Sequence, residues 1–293
     1  MADPDGECAR NAPKLPIPGR RNILITSVLP YVNNVPHLGN IIGCVLSADV
    51  FARYCLLRGY NAIYVCGTDE YGTATETKAR EENSTPQEIC DRFHPIHRYI
   101  YDWFGISFDQ FGRTSTPEQT QICQAIFNKL LENQKNENEN KEDKLVFEDT
   151  MKQFYCTTCE SFLADRLVEG TCPRPTCGYD SARELKDPKC KVCQSTPEIR
   201  YTDHLFLNIP VLEDELVEYI NEMSVEGSWS QNAIQATNAW LREEPRCITR
   251  DLRWGVSVPL EKYRDKVFYV WFDAPIGYVS ITSCYTPDWE QWW

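Results

Sequence analysis

From Leu29 to Asn40 the chain reads LPYVNNVPHLGN, and two residues in it suit phosphate chemistry. His37 can donate a ring N–H to a phosphate oxygen, and Gly39 lets the backbone come close to one. Both lie where a helix would open, and its unpaired N–H groups and positive dipole end attract an anion. A His near a Gly is weak evidence alone, because loop and capping histidines are common; its place directly after an apolar strand gives it weight. Neither G-x-x-x-x-G-K-[ST] nor G-x-G-x-x-G occurs, which argues against a P-loop and leaves no dinucleotide fingerprint. A second cluster is metallic in character. Cys156-x-x-Cys159 and Cys190-x-x-Cys193 supply four thiolates, the donor set of a tetrahedral structural zinc with no open position for substrate. Cys172 and Cys177 form a third, wider pair between them. Cys44, Cys55, Cys66, Cys90, Cys123, Cys247 and Cys284 have no paired neighbour and are expected to be free and buried.

These residues need elements to hold them. Asn22 to Val28 (NILITSV) is a β-branched run expected to form a buried strand, followed by a Pro- and Asn-rich loop. Apolar residues from Gly39 to Arg58 recur at helical spacing, Gly59 ends that helix, and Ala62 to Cys66 is a second strand ending in a polar turn at 67–72. The result is a parallel strand–helix–strand unit. Helices are expected over 73–83, 86–104 and 117–133. Residues 134–144 (QKNENENKEDK) read as an exposed loop. After the cysteine segment 154–198 come a strand at 204–211, helices at 213–223 and 230–242, and a buried strand at 266–271. The whole reads as a parallel α/β domain split by an inserted lobe.

Length and charge bound the rest. At 293 residues the chain can bury one large core or two smaller ones, and 42% hydrophobic with 25% charged residues are ordinary globular values. The net charge of −13 excludes a chain-wide cationic surface for nucleic acid or anionic lipid, though not a local patch. Such a patch is suggested by Arg242, Arg246, Arg250, Arg253, Lys262, Arg264 and Lys266; interleaved acids make a solvated face the alternative. Asp3, Asp5 and Glu7 do not suit a signal or transit peptide, and no run approaches a membrane span, so no membrane association and a cytosolic location are expected. Fourteen cysteines without a secretion signal point to metal rather than disulfides.

The segment SVLPYVNNVPHLGN resembles the first signature of class I aminoacyl-tRNA synthetases, with Asn40 in the last place of His-x-Gly-His. VCGTDEYGTA, FHPIHRYIYDWFGISFD, the cysteine block and VWFDAPIGY follow in the order of methionyl-tRNA synthetases of the cytosolic eukaryotic type, and the match runs from about Arg21 to Trp293. The resemblance implies a Rossmann-like α/β fold with a parallel sheet, split by a connective insertion that carries a zinc knuckle. The implied partition is a tail at 1–20, the first half of the catalytic domain at 21–115, the insertion at 116–266 with its zinc segment at 154–198, and the resumed catalytic domain at 267–293. It also implies formation of methionyl-adenylate from methionine and ATP with Mg²⁺, then transfer to tRNA(Met). A multi-synthetase complex is left open as a further partner.

Within that resemblance His37, Gly39 and Asn40 match catalytic positions. Leu29, Tyr31, Asp69, Trp271, Ala274, Pro275 and Tyr278 match the methionine pocket, whose aromatic and apolar walls suit a thioether. Asp69 would bind the α-ammonium as a charge-assisted pair, or else cap a turn. By composition alone Trp271 and Tyr278 would be core residues. His97 and Arg250 match positions near ATP or the tRNA end, with a satisfied structural histidine and an Arg250–Asp251 surface salt bridge as alternatives. In the family's two-zinc form, outer and inner pairs each share a metal. Here one inner pair is missing between Tyr179 and Pro188, so Cys172 and Cys177 hold half a site and one zinc per chain is expected. The family's Lys-Met-Ser-Lys-Ser loop lies beyond Trp293, and the 293-residue chain alone is expected to be inactive or severely impaired. Two other functions stay in view: another nucleotidyltransferase with a His-x-Gly-His site, and a non-catalytic zinc and tRNA-interaction module.

Overall fold

A computed structural model describes residues 13–134, 144–164, 167–172, 177, 186–241 and 244–293. Most of the expected 134–144 loop, Arg242 and most of the gap between Tyr179 and Pro188 lie outside the described residues. The chain forms two compact units. The first comprises the chain up to Glu70, Cys90–Gln119 and Pro275–Trp293; the second comprises Tyr71–Ile89 and Thr120–Ala274. These limits cut the chain at other residues than the 21–115, 116–266 and 267–293 partition.

The first unit is built on a three-stranded sheet. Strand β1 (Asn22–Thr26) pairs in parallel with β2 (Asn61–Thr68), and β2 with β3 (Gln110–Arg113), in the order β1-β2-β3. Every residue of β2 is buried, as a central parallel strand covered on both faces requires. Its sequence NAIYVCGT is accordingly apolar without alternation. Strand β3 was not foreseen: QFGR is four residues long, half-buried throughout, and carries no strand period.

Between β1 and β2 runs helix α1 (Leu38–Leu57). Its segment Ile41–Leu46 is widened to a π-helix, a local form that recurs at functional sites. Ile41, Val45, Ala52 and Cys55 place one face of α1 in the core with Ile25 and 62–66 of β2. Gly59, at φ +71°, closes the helix as expected. The expectation that no run approaches a membrane span needs correction here, because α1 is long and apolar enough to cross one by length and composition. Only part of that apolar content faces the core: Ile41, Val45, Ala52 and Cys55 are buried, while Leu38, Ile42, Val50, Phe51, Leu56 and Leu57 are exposed.

Helix α8 (Ile276–Tyr285), in the chain's last stretch, packs on the same sheet through a glycine slot. Gly67 and Gly112 are register partners, and a Cβ on either would stand 2.7 to 2.9 Å from Ile281. The N-terminal segment is tied to this unit as well. The Lys14 ammonium reaches Asp109 at 2.7 Å and the Ala62 carbonyl at 3.2 Å, while the Lys14 carbonyl accepts from the Trp292 indole at 3.1 Å.

The second unit contains helices α2 (Thr73–Glu81), α5 (Glu213–Glu226), α6 (Gln231–Trp240) and α7 (Val270–Asp273), and most of α4 (Pro117–Glu132). Helix α3 (Pro86–Trp103) begins in its stretch of chain and continues in that of the first. The frame is an antiparallel sheet in the order β5-β4-β8-β9. Its long ladder joins β4 (Val146–Cys156) to β8 (Glu198–Leu207), from Val146 opposite Leu207 to Tyr155 opposite Glu198. Strand β5 (Ser161–Leu163) flanks β4, and β9 (Arg246–Cys247) flanks β8. A hairpin of β6 (Val168–Thr171) and β7 (Lys186–Cys190) carries the second cysteine pair.

Two expected strands differ. The one placed at 204–211 spans Glu198–Leu207 and gives way to a 3₁₀ turn at Ile209–Leu212, since Pro210 cannot donate to a ladder. The one placed at 266–271 reduces to β11 (Val267–Phe268), paired with β10 (Thr249–Arg250), and Val270–Asp273 turns helical. An apolar run of this length fits either state, and tertiary contacts decided it.

Candidate functional site

In the first unit, the loop after β1 delivers His37 as the N-cap of α1. Its Nδ1 accepts the Gly39 N–H at 3.0 Å, and the Asn40 Oδ1 accepts the His37 N–H at 3.4 Å, a reciprocal capping box. With Nδ1 accepting, the proton of the neutral ring sits on Nε2, and the exposed ring can donate it outward. Capping thus occupies Nδ1 and leaves the Nε2–H of the same imidazole directed outward. Gly39 is required by this arrangement, because a Cβ there would stand 2.8 Å from the His37 Cε1 and 3.0 Å from Nδ1.

Asp69 follows the last residue of β2 and is 5% exposed. Its N–H donates to the Pro30 carbonyl at 2.9 Å, and its carbonyl accepts the Val32 N–H at 3.2 Å, an isolated parallel bridge that sets Tyr31 beside Asp69. Leu29 is buried in the same unit. Tyr278, on α8, packs against the core cluster that contains Leu29, and burial raises its pKa above the usual phenol value. Gly277 brings α8 close to Leu29 and Thr114: a Cβ there would meet Leu29 Cδ1 at 3.0 Å and Thr114 Cγ2 at 2.8 Å. Leu29, Tyr31, Asp69 and Tyr278 are therefore gathered at the C-terminal edge of parallel strands, where open α/β sheets bind ligands. Pro275, exposed, opens the same stretch of chain as α8.

Next to Asp69 is a network that sequence reasoning missed. Glu70 is fully buried, and its carboxylate accepts from the Thr68 hydroxyl (3.0 Å), from Arg113 Nε (2.8 and 3.0 Å) and from the Ser115 hydroxyl. The Glu70 N–H donates to Thr114 Oγ1 at 2.9 Å, and Arg113 also pairs with Asp91 at 2.7 Å. His94 Nδ1 meets the Thr68 hydroxyl at 2.8 Å; burial, aided by Arg113, lowers its pKa to about 4. No spacing rule joins Glu70 to an arginine in another strand. His97, 1% exposed, lies against the loop before His37, its Nε2 2.7 Å from the Asn34 carbonyl. That contact makes Nε2–H the donor.

In the second unit, the Trp271 indole donates to the Cys247 carbonyl at 2.9 Å, and the Arg246 guanidinium lies 5.6 Å from its ring. Ala274 ends this unit half-buried. Arg250 stacks over the Tyr269 ring at 3.8 Å and lines a cavity of about 640 Å³ with Lys152, Gln153, Phe154, Asp251 and Tyr269. The alternative of an Arg250–Asp251 salt bridge is corrected: Asp251 pairs with Lys266 and, at 3.0 Å, with the buried His204. Burial alone would lower the His204 pKa, but Asp251 and Cys247 overcome it and raise it. Of the basic stretch, Lys262 meets Glu148 at 2.6 Å and Arg264 meets Glu261 at 2.7 Å, so with Lys266 three of its cations are spent on carboxylates.

Cys156 ends β4 and Cys190 ends β7, and each opens a tight turn that returns to its partner, Cys159 or Cys193. The residue after each partner, Glu160 (φ +50°) or Gln194 (φ +61°), is left-handed, so the two halves share one geometry. The Cys159 N–H donates to Cys156 Sγ at 3.4 Å. All four sulfurs lie within 4.8 Å of one another, with Cys156–Cys193 at 3.4 Å and Cys159–Cys190 at 3.9 Å. A tetrahedral ion at zinc–thiolate bond length needs sulfurs about 3.8 Å apart, so this group could hold a metal. The surrounding core is small: besides cysteines it contains Leu163, Leu167, Val168 and Phe154 among the described residues. Cys172 is half-buried and Cys177 exposed, with the residues between them outside the described set.

The model of the family tRNA synthetases class I (M) matches residues 23–293. The cytoplasmic methionine–tRNA ligase of Arabidopsis thaliana is 71% identical over 300 residues, covering 97% of this chain and 36% of that protein. That of Saccharomyces cerevisiae is 57% identical over 295 residues, covering 95% of the chain and 38% of the relative. The chain thus spans little more than a third of the length of these curated relatives. Among solved structures, Mycobacterium tuberculosis methionyl-tRNA synthetase in complex with methionyl-adenylate superposes with a TM-score of 0.67 at 18% identity, over 93% of this chain and 49% of that one. At that identity the likeness is one of fold.

Proposed function

The chain belongs to the class I (M) tRNA synthetases, and from that membership we propose that it forms the catalytic part of a methionine–tRNA ligase working in the cytosol. One observation supports the reading above the others: the backbone bridge that sets Tyr31 beside Asp69 at the carboxyl edge of the parallel strands. A buried carboxylate there binds the α-ammonium of an amino acid as a charge-assisted pair. Leu29, Tyr31, Pro275 and Tyr278 of the first unit are assigned to the methionine side chain; for Trp271 and Ala274 that role rests on the family resemblance alone.

The methionine carboxylate attacks the α-phosphate of ATP, forming a carboxyl–phosphate anhydride as the bond to pyrophosphate breaks. The nucleophile is already deprotonated, so no general base is needed; positioning and neutralisation of phosphate charge lower the barrier. His37 donates its Nε2–H to phosphate, and Gly39 keeps that ring in place. His97 holds the loop that carries His37. Mg²⁺, arriving with ATP, supplies further neutralisation. The methionyl group then passes to the 3′ end of tRNA(Met), releasing AMP. Arg250 and Lys152, with Tyr269 in the same cavity, are assigned to phosphate or the tRNA terminus. Zinc on Cys156, Cys159, Cys190 and Cys193 is structural, since four thiolates leave no open position.

Calorimetry with methionine, and leucine as control, tests this. Selective methionine binding by the zinc-loaded protein, abolished by Asp69→Ala, is the expected result. A folded, zinc-loaded protein that ignores methionine would falsify it, and would favour another nucleotidyltransferase or a zinc and tRNA-interaction module.

A further inference from the structure

Asp69 needs a fixed carboxylate if it is to select an ammonium group, yet it lies just past the end of its strand. The β2–β3 ladder stops at Thr68 opposite Arg113. On one side the Asp69 backbone is bonded to Pro30 and Val32. On the other, the next residue is held by both backbone and side chain: the Glu70 N–H by Thr114, and its carboxylate by Thr68, Arg113 and Ser115. Arg113 is anchored in turn to Asp91 on α3, and His94 of α3 bonds Thr68. A buried ion pair contributes little net stability over an apolar replacement, so stability alone does not account for an ionic cluster at this spot. What the cluster does supply is a single allowed geometry for residues 68–70.

We infer that Glu70 is a positioning residue: its buried contacts with Thr68, Arg113 and Ser115 set the Asp69 carboxylate for recognition of the amino-acid ammonium. The inference rests on the ammonium-binding role proposed for Asp69, and goes beyond it by assigning a function to residues that do not touch substrate. It separates two ways of losing affinity. A fault in Glu70 misplaces one carboxylate and weakens ligands that carry an α-ammonium, whereas general damage to the unit weakens every ligand.

The test is equilibrium binding to the zinc-loaded protein of two probes, methionine and its des-amino analogue 4-(methylthio)butanoate. The variants are Glu70→Gln, Asp69→Asn and the double variant. Glu70→Gln is expected to weaken methionine about tenfold or more and to leave the analogue within about twofold, because a displaced contact is lost only where there is an ammonium to meet it. The double variant is expected to bind methionine no worse than Asp69→Asn alone, the non-additivity of two residues acting through one contact. If Glu70→Gln does not fold, Ser115→Ala and Thr68→Val each remove one contact and are expected to give smaller losses of the same selectivity. Equal weakening of both probes, additive losses, or unchanged methionine binding in these variants would overturn the inference while the Asp69 assignment stands. Unchanged methionine binding in Asp69→Asn overturns both.

Discussion

His37 caps α1 through Nδ1 and keeps Nε2–H outward, and Gly39 is the residue that lets it. A methyl group at position 39 would press on the imidazole at 2.8 Å and push it off the cap. Under the proposed function, Gly39→Ala is expected to lower the rate of ATP–pyrophosphate exchange about 10- to 100-fold, the scale of a misplaced phosphate donor. The melting temperature should barely move, since the site is exposed. His94 gives a pH dependence. Its folded pKa of about 4 lies below the ordinary 6.5, so the unfolded chain binds the proton first as pH falls. The stability of the neutral, buried ring is therefore complete above pH 6.5 and is lost between 6.5 and 4, by about 3 kcal/mol in all. Urea titrations across that window should show the loss in the wild type and a flatter profile in His94→Gln.

At the scale of elements, the paired cysteine turns are the feature with the sharpest demands. Glu160 and Gln194 hold left-handed backbone that a β-branched side chain resists. Gln194→Val is expected to cost about 1–2 kcal/mol and to weaken zinc about tenfold in competition with a chelator, while Gln194→Gly should be near neutral. Elemental analysis is expected to give one zinc per chain. A value of two would mean that Cys172 and Cys177 have found further ligands. In the parallel sheet, the slot made by Gly67 and Gly112 accounts for the close seating of Ile281, and any side chain at 67 or 112 should loosen α8.

Across the molecule, the parallel-sheet core and the cysteine core are separate clusters belonging to different units. Chelation is therefore expected to speed amide exchange around Cys156–Cys193 and leave β2 amides protected; equal loss in both would contradict that separation. Much of this was legible in the chain. The apolar run of β2, the helical period of α1 and Gly59 at its end were readable because local pattern and burial agree there. The Cys-x-x-Cys pairs were legible because four thiolates that are to share one metal must come in such closely spaced pairs, and the ordered motifs carried the family. Strand β3 was not legible, since QFGR is made a strand by its neighbour β2 rather than by its own composition. Nor was the helical turn at Val270–Asp273, because KVFYVW suits strand and buried helix equally. Residue types and their spacing thus set the chemistry on offer: a histidine and glycine at a helix start, a carboxylate at a strand end, four thiolates in two pairs. Tertiary structure alone decided which nitrogen of His37 stays free, that Asp251 turns to Lys266 and His204 rather than to Arg250, and that Glu70 is locked by Arg113. Those outcomes depend on contacts between residues far apart in the chain, where burial and hydrogen-bond satisfaction select among partners that sequence spacing leaves equivalent.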